Sequence, residues 1–229
     1  MLRNRLILVT LLISLVPLVL LGVFSSQQSR SLLAKSAADT LDSQAGLKGS
    51  QIAAYLQSVR HDVVALAESH MSRQAMSAFD VGFQTFLEQE LGPDADLDAA
   101  TVESRAAVAG FVDRVFGAAY REANLRAGPE GAAFAASLPP SAAKLQRLFI
   151  ADNPAPLGAK DAMITLPGST DYGQAHALFH PIYRSHLKRS EYYDIFLVDP
   201  EGDVGYSVGK EMVYATNLVT GPWRESGLA

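Results

Sequence analysis

The sequence contains no cysteine, which excludes disulfide bridges, zinc–thiolate sites, a lipoprotein-type anchor and thiol catalysis. Basic residues are in the minority, because 19 Lys and Arg stand against 24 Asp and Glu, giving a formal net charge of −5. No segment carries a basic stripe, so nucleic acid is not expected as a partner. Neither a phosphate-binding loop nor a dinucleotide-binding fingerprint occurs. We therefore expect no bound cofactor.

Catalytic patterns are also missing. The Gly-x-Ser-x-Gly elbow of the α/β hydrolases does not occur. His176 and His180 stand four residues apart on a predicted helix, a spacing that can hold a metal ion, and His186 is nearby. No glutamate lies between the pair, so the zinc-protease pattern fails, and a packed or hydrogen-bonded structural pair is favoured. The sequence predicts no catalytic residue, no metal site and no enzyme activity.

Gly92 begins a short loop with alternating aspartates, Asp94, Asp96 and Asp98. Their spacing is similar to a calcium loop, but the glycine at the sixth position and the closing glutamate are misplaced. We therefore expect a solvated acidic loop, with Asp98 or Thr101 capping the next helix.

One long apolar run carries no charge. It extends from Leu6 to Phe24, roughly 28 Å as a helix, which is close to the hydrocarbon thickness of a bilayer. Arg3 and Arg5 precede the run, and no Lys or Arg follows it until Arg30. The positive-inside rule then predicts a single-pass anchor with a cytoplasmic N-terminus and the bulk of the chain outside. A cleaved signal peptide is the alternative, although the run is long for one.

The chain divides into three predicted parts, with a transmembrane N-terminus over 1–24, a stalk helix and helical region over 25–144, and a mixed α/β region over 145–229. In the middle part, two apolar stripes at helical spacing predict two further helices. The stripes are Phe79, Phe83, Phe86 and Leu87, and Val108, Phe111, Val112, Val115 and Ala119. In the last part, we predict a strand at Leu145–Ala151 and a helix from about Ser169 to His186.

The predicted stalk has no proline from Ser25 to about Phe79. Within it, apolar residues follow one another in steps of four and three, as in a heptad seam. They are Ile52, Leu56, Val59, Val63 and Leu66. A long helix cannot bury such a seam alone, so the partner is another helix of the same chain, a second subunit, or both.

A β-hairpin is predicted after the last helix. Tyr192 to Val198 is rich in β-branched and aromatic residues, and Asp199-Pro200-Glu201-Gly202 supplies the turn. The return strand alternates, with Val204, Tyr206 and Val208 on one face.

This region resembles the double-Cache and PAS-like sensor modules of bacterial membrane receptors. Several pieces carry the resemblance in the right order, which is harder to match by chance than one motif. The pieces are Asn153-Pro154-Ala155-Pro156-Leu157-Gly158-Ala159-Lys160, Tyr193 to Asp199, Tyr206 to Glu211, Thr216-Asn217-Leu218 and Gly221-Pro222-Trp223. The resemblance implies a helix-rich α+β fold in which a covering helix lies on a PAS/Cache-like antiparallel sheet.

The resemblance also implies a function. We expect the sensory input region of a receptor in the bacterial inner membrane, facing the periplasm and forming a homodimer through the stalk helix. A chemotaxis receptor is favoured, with a membrane nucleotide cyclase or a histidine kinase as alternatives. A non-sensory, membrane-anchored structural or adaptor protein is the alternative of another class. Because no output domain follows in the sequence, we expect a fragment of a longer receptor or a truncated product.

In sensors of this class the pocket lies between the sheet and the helix or loops that cover it. In this chain, the resemblance predicts five ligand-binding residues near that pocket, Tyr206, Lys210, Asn217, Trp223 and Arg224. An aromatic wall with a cation and an amide suits a small organic acid or amino acid. The alternative is that the two aromatic residues belong to the core and the two cations are solvated.

Overall fold

Helices form most of the part of the chain that the structure describes. The computed structural model describes residues 2–125 and 127–228, apart from the side chains of residues 2–10, 12, 14, 31 and 34. Its α-helices are α1 (Leu2–Glu68), α2 (His70–Leu91), α3 (Leu97–Phe111), α4 (Gly117–Asn124), α5 (Gly131–Ala136), α6 (Pro140–Gln146) and α7 (Asp171–Ser190). Two strands, β1 (Phe196–Val198) and β2 (Val204–Ser207), follow α7.

The chain divides into two compact units, Met1–Leu66 and Ala67–Ala229. The predicted part boundaries at residues 24 and 144 stay predictions. Within the first unit, the described seam residues of α1 are largely uncovered, because Ile52 and Leu56 are each 60% exposed and Val63 is 54% exposed. These three described seam residues are therefore largely exposed within the first unit, and the predicted pairing with a second copy stays a prediction.

A serine ends the long helix earlier than the sequence pattern indicated. The predicted helix continued to Phe79, but α1 ends at Glu68 and α2 begins at His70. Ser69 between them has an extended backbone, and its side chain accepts a hydrogen bond from the Ser72 backbone N–H at 3.0 Å. Serine competes for backbone hydrogen bonds inside helices and caps their starts well, at about 1 kcal/mol per cap.

Helices α2 and α7 form the centre of the second unit. The buried residues of α2 recur at steps of three and four and make one stripe, namely Ser72, Ala75, Phe79, Gly82 and Phe86. This stripe faces the buried side of α7, where the Phe79 and Tyr172 rings lie 5.2 Å apart. Gly82 permits the close approach, because a Cβ there would lie 2.7 Å from the backbone nitrogen of Tyr172.

The predicted helical region differs from the structure in two details, a helix cap and the register of an apolar stripe. Asp96, rather than Asp98 or Thr101, is the N-cap of α3, and its carboxylate accepts from the Ala99 N–H at 2.9 Å. A π-helical turn at Val112–Phe116 follows α3 and changes the register of the apolar stripe. As a result Val112 is buried, whereas Val115 is 43% exposed.

The predicted strand at Leu145–Ala151 is wrong. Helix α6 runs through Gln146 and continues into a second π-helical turn, Arg147–Ala151. Leu145, Phe149 and Ile150 are all buried there. Their spacing of four and five places them on one face of a helix, and a short apolar run of this kind does not distinguish a helix from a strand.

The hairpin forms, but the described residues contain no larger antiparallel sheet, so the predicted PAS/Cache-like fold is contradicted. In the described residues the sheet has two antiparallel strands, pairing Phe196 with Ser207 and Leu197 with Tyr206. The segment after β2 folds into turns, which an isolated bridge between Asp203 and Asn217 ties back to the hairpin. A covering helix on a sheet of this size is not the α+β sensor architecture that the resemblance implied.

The predicted membrane anchor is also corrected. Among the described residues, no helix has the length and apolar character needed to cross a bilayer. The predicted span Leu6–Phe24 includes the side chains of residues 6–10, 12 and 14, which lie outside the described ones. Its continuous described part, residues 15–24, is about half of the ~20 residues that a span requires. The single-pass inner-membrane location, with a cytoplasmic N-terminus and a periplasmic bulk, is therefore not supported.

Replacing Gly82 by alanine should lower the free energy of unfolding by about 1–3 kcal/mol, because the added methyl group forces α2 and α7 apart. Urea denaturation measures the loss. Gly205→Ala is the matched control in the same unit, since a Cβ at Gly205 meets no atom within 4 Å. An equal effect of the two substitutions would contradict the close helix crossing.

Candidate functional site

A lysine lies buried in the core of the second unit. Lys210 follows β2 and is only 1% exposed. Its backbone takes the left-handed conformation, with φ 55°, which costs a non-glycine residue on the order of 1 kcal/mol. The backbone N–H of Lys210 donates to Ser207 Oγ at 2.9 Å, and its ammonium donates to the Ser207 carbonyl. The turn thus directs the side chain inward.

Aromatic rings surround the ammonium. Nζ of Lys210 lies 4.2 Å from the ring centroid of Tyr206, 5.0 Å from that of Tyr214 and 5.2 Å from that of Phe149. Cation–π attraction stabilises such a cation when it is removed from water. Within the described part of the chain, no carboxylate forms an ion pair with it. Burial lowers the pKa of Lys210 to about 7, although Asp194 and Asp161 oppose the shift.

Two histidines of α7 lie next to this lysine. The Nε2 of His180 is 2.9 Å from the carbonyl oxygen of Asp161, and its Nδ1 is 2.7 Å from the hydroxyl of Tyr206. Because a carbonyl only accepts, Nε2 carries the proton and Nδ1 accepts from the tyrosine hydroxyl. Burial, followed by the charge of Lys210, lowers the pKa of His180 to about 4. His180 is therefore neutral at physiological pH.

The ring of His176 stacks on that of His180, with centroids 4.3 Å apart. Its Nδ1 donates to the carbonyl of Ile164 at 2.9 Å, so the neutral ring presents Nε2 as an acceptor. That Nε2 is buried and has no hydrogen-bond partner among the described atoms. Burial holds the pKa of His176 well below its usual value. In the described residues, no group of His, Asp and Glu is arranged to hold a metal ion.

Two further tyrosines complete the set. The hydroxyl of Tyr214 donates to that of Tyr172 at 2.8 Å, and Tyr172 donates to the carbonyl of Gly205 at 2.8 Å. Burial is the main cause that raises the pKa of both hydroxyls. We call the whole group the tyrosine–histidine–lysine cluster, and its members are Phe149, Tyr172, His176, His180, Tyr206, Lys210 and Tyr214.

One carboxylate fixes the turn that carries the lysine. Asp194 accepts from the backbone N–H groups of Val208 at 3.0 Å and Gly209 at 2.8 Å, and from Ser207 Oγ at 2.9 Å. It also accepts from the Ile195 N–H at 2.7 Å. These bonds tie the segment before β1 to the segment after β2. Asp194 therefore positions Lys210 without bonding to its ammonium.

A second buried lysine comes from the Pro-rich segment. Lys160 is 4% exposed, and its Nζ donates to the carbonyl of Asn153 at 2.7 Å. The same Nζ lies 5.2 Å from the ring centroid of Phe111, and burial lowers the pKa of Lys160. Sequence analysis did not select Lys160 as a site residue. The signal was its place in a segment that already resembled the sensor family.

Two cavities of the second unit bear on the predicted site residues. The smaller, with a volume of about 240 Å³, is lined by both Lys160 and Lys210. The larger, of about 530 Å³, lies between α2 and the segment around β2, and its lining includes Asp80, Asp199 and Asp203. Among the described lining residues, the smaller cavity thus has two buried cations and one carboxylate, Glu211, in its wall, whereas the larger one has three carboxylates.

Of the five predicted ligand-binding residues, the cluster contains Tyr206 and Lys210. Asn217 lines the larger cavity instead. Its side-chain oxygen accepts from the backbone N–H groups of Val219 and Thr220, both at 2.8 Å. Asn217 is therefore placed to order its own loop.

The remaining two predicted residues line neither of these cavities. Trp223 donates through Nε1 to the carbonyl of Met212 at 3.2 Å and meets the Phe134 ring edge-to-face. Arg224 is exposed and lies 3.5 Å from the carboxylate of Glu225. The five predicted residues therefore do not converge on one point. Sequence reasoning missed Tyr172 and Tyr214, although Tyr172 stands one helical turn before His176.

Comparison of the chain with protein-family models, with curated proteins and with solved structures finds no match. The resemblance to double-Cache and PAS-like sensors therefore stays a prediction.

Acid should destabilise the fold through His180. Between pH 7 and 5 the unfolded histidine takes up a proton, whereas the folded one, with a pKa of about 4, does not. The unfolded state then binds more protons, so the free energy of unfolding falls as the pH falls, by about 2 kcal/mol from this residue. Urea denaturation at the two pH values measures the loss.

His180→Gln should reduce that acid-dependent loss, and His186→Gln, on the same helix, is the control. If both substitutions leave the difference between pH 7 and pH 5 unchanged, the assignment to His180 is wrong.

Proposed function

We propose that residues 67–229 bind a small molecule and act as the sensory input module of a bacterial signalling protein. One observation carries the proposal, namely that Lys210 lies buried in the wall of a cavity and has no carboxylate partner among the described residues. A buried charge costs several kcal/mol unless it is well paired. Strongly shifted pKa values beside a cavity are typical of functional sites.

Incomplete hydrogen bonding supports the same proposal. His176 Nε2 and Gln146 Oε1 are buried acceptors without partners among the described atoms. Gln146 nevertheless donates to the carbonyl of Tyr214 at 2.6 Å, which anchors it beside the cluster. An unpaired buried acceptor costs about 1–3 kcal/mol. Buried unsatisfied groups of this kind call for an explanation, and an ordered water or a small molecule within the cluster can satisfy them, although neither side chain lines the two cavities.

Binding is proposed rather than catalysis. The hydroxyl and imidazole groups of the cluster bond to one another or to backbone carbonyls, as in the pair formed by His180 and Tyr206. This arrangement rigidifies the core beside Lys210 and does not activate a nucleophile. The choice of a chemotaxis receptor as the parent protein, over a cyclase or a histidine kinase, rests on the motif resemblance alone, because one input fold serves many outputs.

The sensing proposal is tested by thermal unfolding of the protein against panels of organic acids, amines and sugars. A ligand that binds only the folded state stabilises it, by about 2.7 kcal/mol at a concentration of 100 times its Kd. The melting temperature rises as a result. We expect at least one panel compound to do so. We further expect Lys210→Met to abolish the shift and Arg224→Met, at an exposed cation, to keep it. A panel without any such shift would contradict sensing of small metabolites.

A second candidate is a structural protein that pairs through α1. The observation that favours it is the exposed seam around Leu56, which repeats at heptad spacing. A second copy of the chain offers the same seam and can cover it in a coiled coil, and a sensory dimer would use the same contact.

Light scattering after gel filtration should show a dimer at micromolar concentration. Leu56→Asp should yield monomers, because it places a charge in the seam. Gln57→Asp, at the exposed neighbouring position, should leave the dimer intact. A monomeric parent protein would overturn pairing through α1.

A further inference from the structure

Two buried lysines from distant parts of the sequence line one cavity. Lys160 lies in a short 3-10 helix, Lys160–Ala162, and Lys210 in the turn after β2. Both contribute to the wall of the 240 Å³ cavity. An ammonium has three donors, and in the described part of the chain each of these donates to one backbone carbonyl. Donor capacity therefore remains in both side chains.

The protein supplies little negative charge to balance these lysines. The negative charges of Asp194 and Asp161 raise the pKa of Lys210 through space, against the larger effect of burial. Asp194 is occupied by the hydrogen bonds of the turn, and Asp161 pairs with Arg184 at 2.7 Å. Around the cavity, Glu211 is the one carboxylate among the described lining residues, and it accepts from the Tyr193 hydroxyl at 2.7 Å. An anion in the cavity would provide the missing counter-charge.

The rest of the wall is mostly apolar. Phe116, Ala119, Ile150, Leu157 and Met212 line the same space. At about 240 Å³ the cavity is smaller than the ~300–1,000 Å³ typical of sites for drug-sized ligands. We propose that this cavity binds a short-chain organic carboxylate, with its anionic head held by Lys160 and Lys210 and its chain against the apolar wall. This inference rests on the proposed sensing function and names its ligand class.

The binding should also be coupled to proton uptake. Lys210 has a pKa of about 7 in the free protein, so it is partly neutral at neutral pH. The other charged or titratable groups that act on it are Asp161, Asp194, His176 and His180. An anion favours the charged lysine, so binding draws a proton on to it. Between pH 6 and 8 the affinity should then fall about tenfold, because the charged fraction of free Lys210 falls by about that factor.

The test is calorimetric titration of the protein with acetate, propionate, butyrate and valerate at constant ionic strength set by chloride. Propionamide and propylamine are the neutral and cationic counterparts of propionate. We expect a carboxylate to bind, with Kd rising about tenfold from pH 6 to 8 and without binding of the amide or the amine. Lys160→Met and Lys210→Met should each weaken binding at least tenfold.

Lys188→Met is the matched control, since this lysine of α7 is 55% exposed and lies 3.8 Å from Asp161. Its carboxylate affinity should equal that of the parent protein. Methionine matches the lysine chain as far as Cε, and it removes the buried ammonium together with its hydrogen bond to a backbone carbonyl. Because replacing a buried charge by an apolar side chain of similar size is often neutral, both test variants should fold. Thermal unfolding followed by circular dichroism checks that they fold. Glu211→Gln removes from the wall a negative charge that repels the carboxylate, so it should tighten binding. This measurement does not depend on either lysine variant.

The outcomes separate the two proposals. Carboxylate binding that is lost in both lysine variants supports both proposals. Binding of amines or sugars from the wider panel, without binding of any carboxylate, leaves sensing in place and overturns the carboxylate inference. Carboxylate binding with unchanged affinity in both lysine variants also overturns it, because the anion then lies elsewhere. Absence of binding by every compound overturns both.

Discussion

The contact between α2 and α7 is the constraint on which the second unit depends. Small residues in the α2 stripe, above all Gly82, bring the helix against the backbone at Tyr172. This approach fixes the side of α7 that faces inward, and with it the positions of His176 and His180. Phe79 of α2 then stacks on Tyr206 of β2 at 4.6 Å, so the same helix also holds the hairpin. Packing density leaves little freedom for these rings.

The core that results is unusually polar. Hydroxyls, imidazoles and an ammonium occupy positions where aliphatic side chains would pack without a desolvation cost. Most of them are paired, as in the bonds from Tyr214 to Tyr172 and from Tyr206 to His180. Partly satisfied networks of this kind destabilise a fold, because buried polar groups without partners are costly at low dielectric. Of the cluster, Lys210 is the one member among the described residues that line the two cavities, so the proposed binding site lies at this lysine.

Several sequence-based expectations agree with the structure at the level of single turns and helices but not at the level of the fold. The hairpin forms around Gly202, whose φ of 90° suits the turn. The described part of the chain lacks the sensor-like sheet, because the apolar residues around Phe149 extend a helix and do not add a strand. The membrane anchor was inferred from charge and hydropathy, and no described helix meets the requirements of a bilayer span. A sequence can therefore resemble the motifs of a family without adopting that family's fold in its described residues.

The sequence by itself determined the elements whose signals are local. It indicated the helical stripes around Phe79 and Val108, the turn at Gly202 and the inward face of β2, because periodicity and turn residues act over a few positions. It also selected Tyr206 and Lys210, which the structure brings together in the cluster and whose predicted role in ligand binding stays a prediction. Only the tertiary structure decided that Lys160 joins Lys210 and that Asn217 and Arg224 do not. Burial and convergence are long-range properties, since they depend on how α2, α7 and the hairpin pack and not on the neighbours of each residue in the chain.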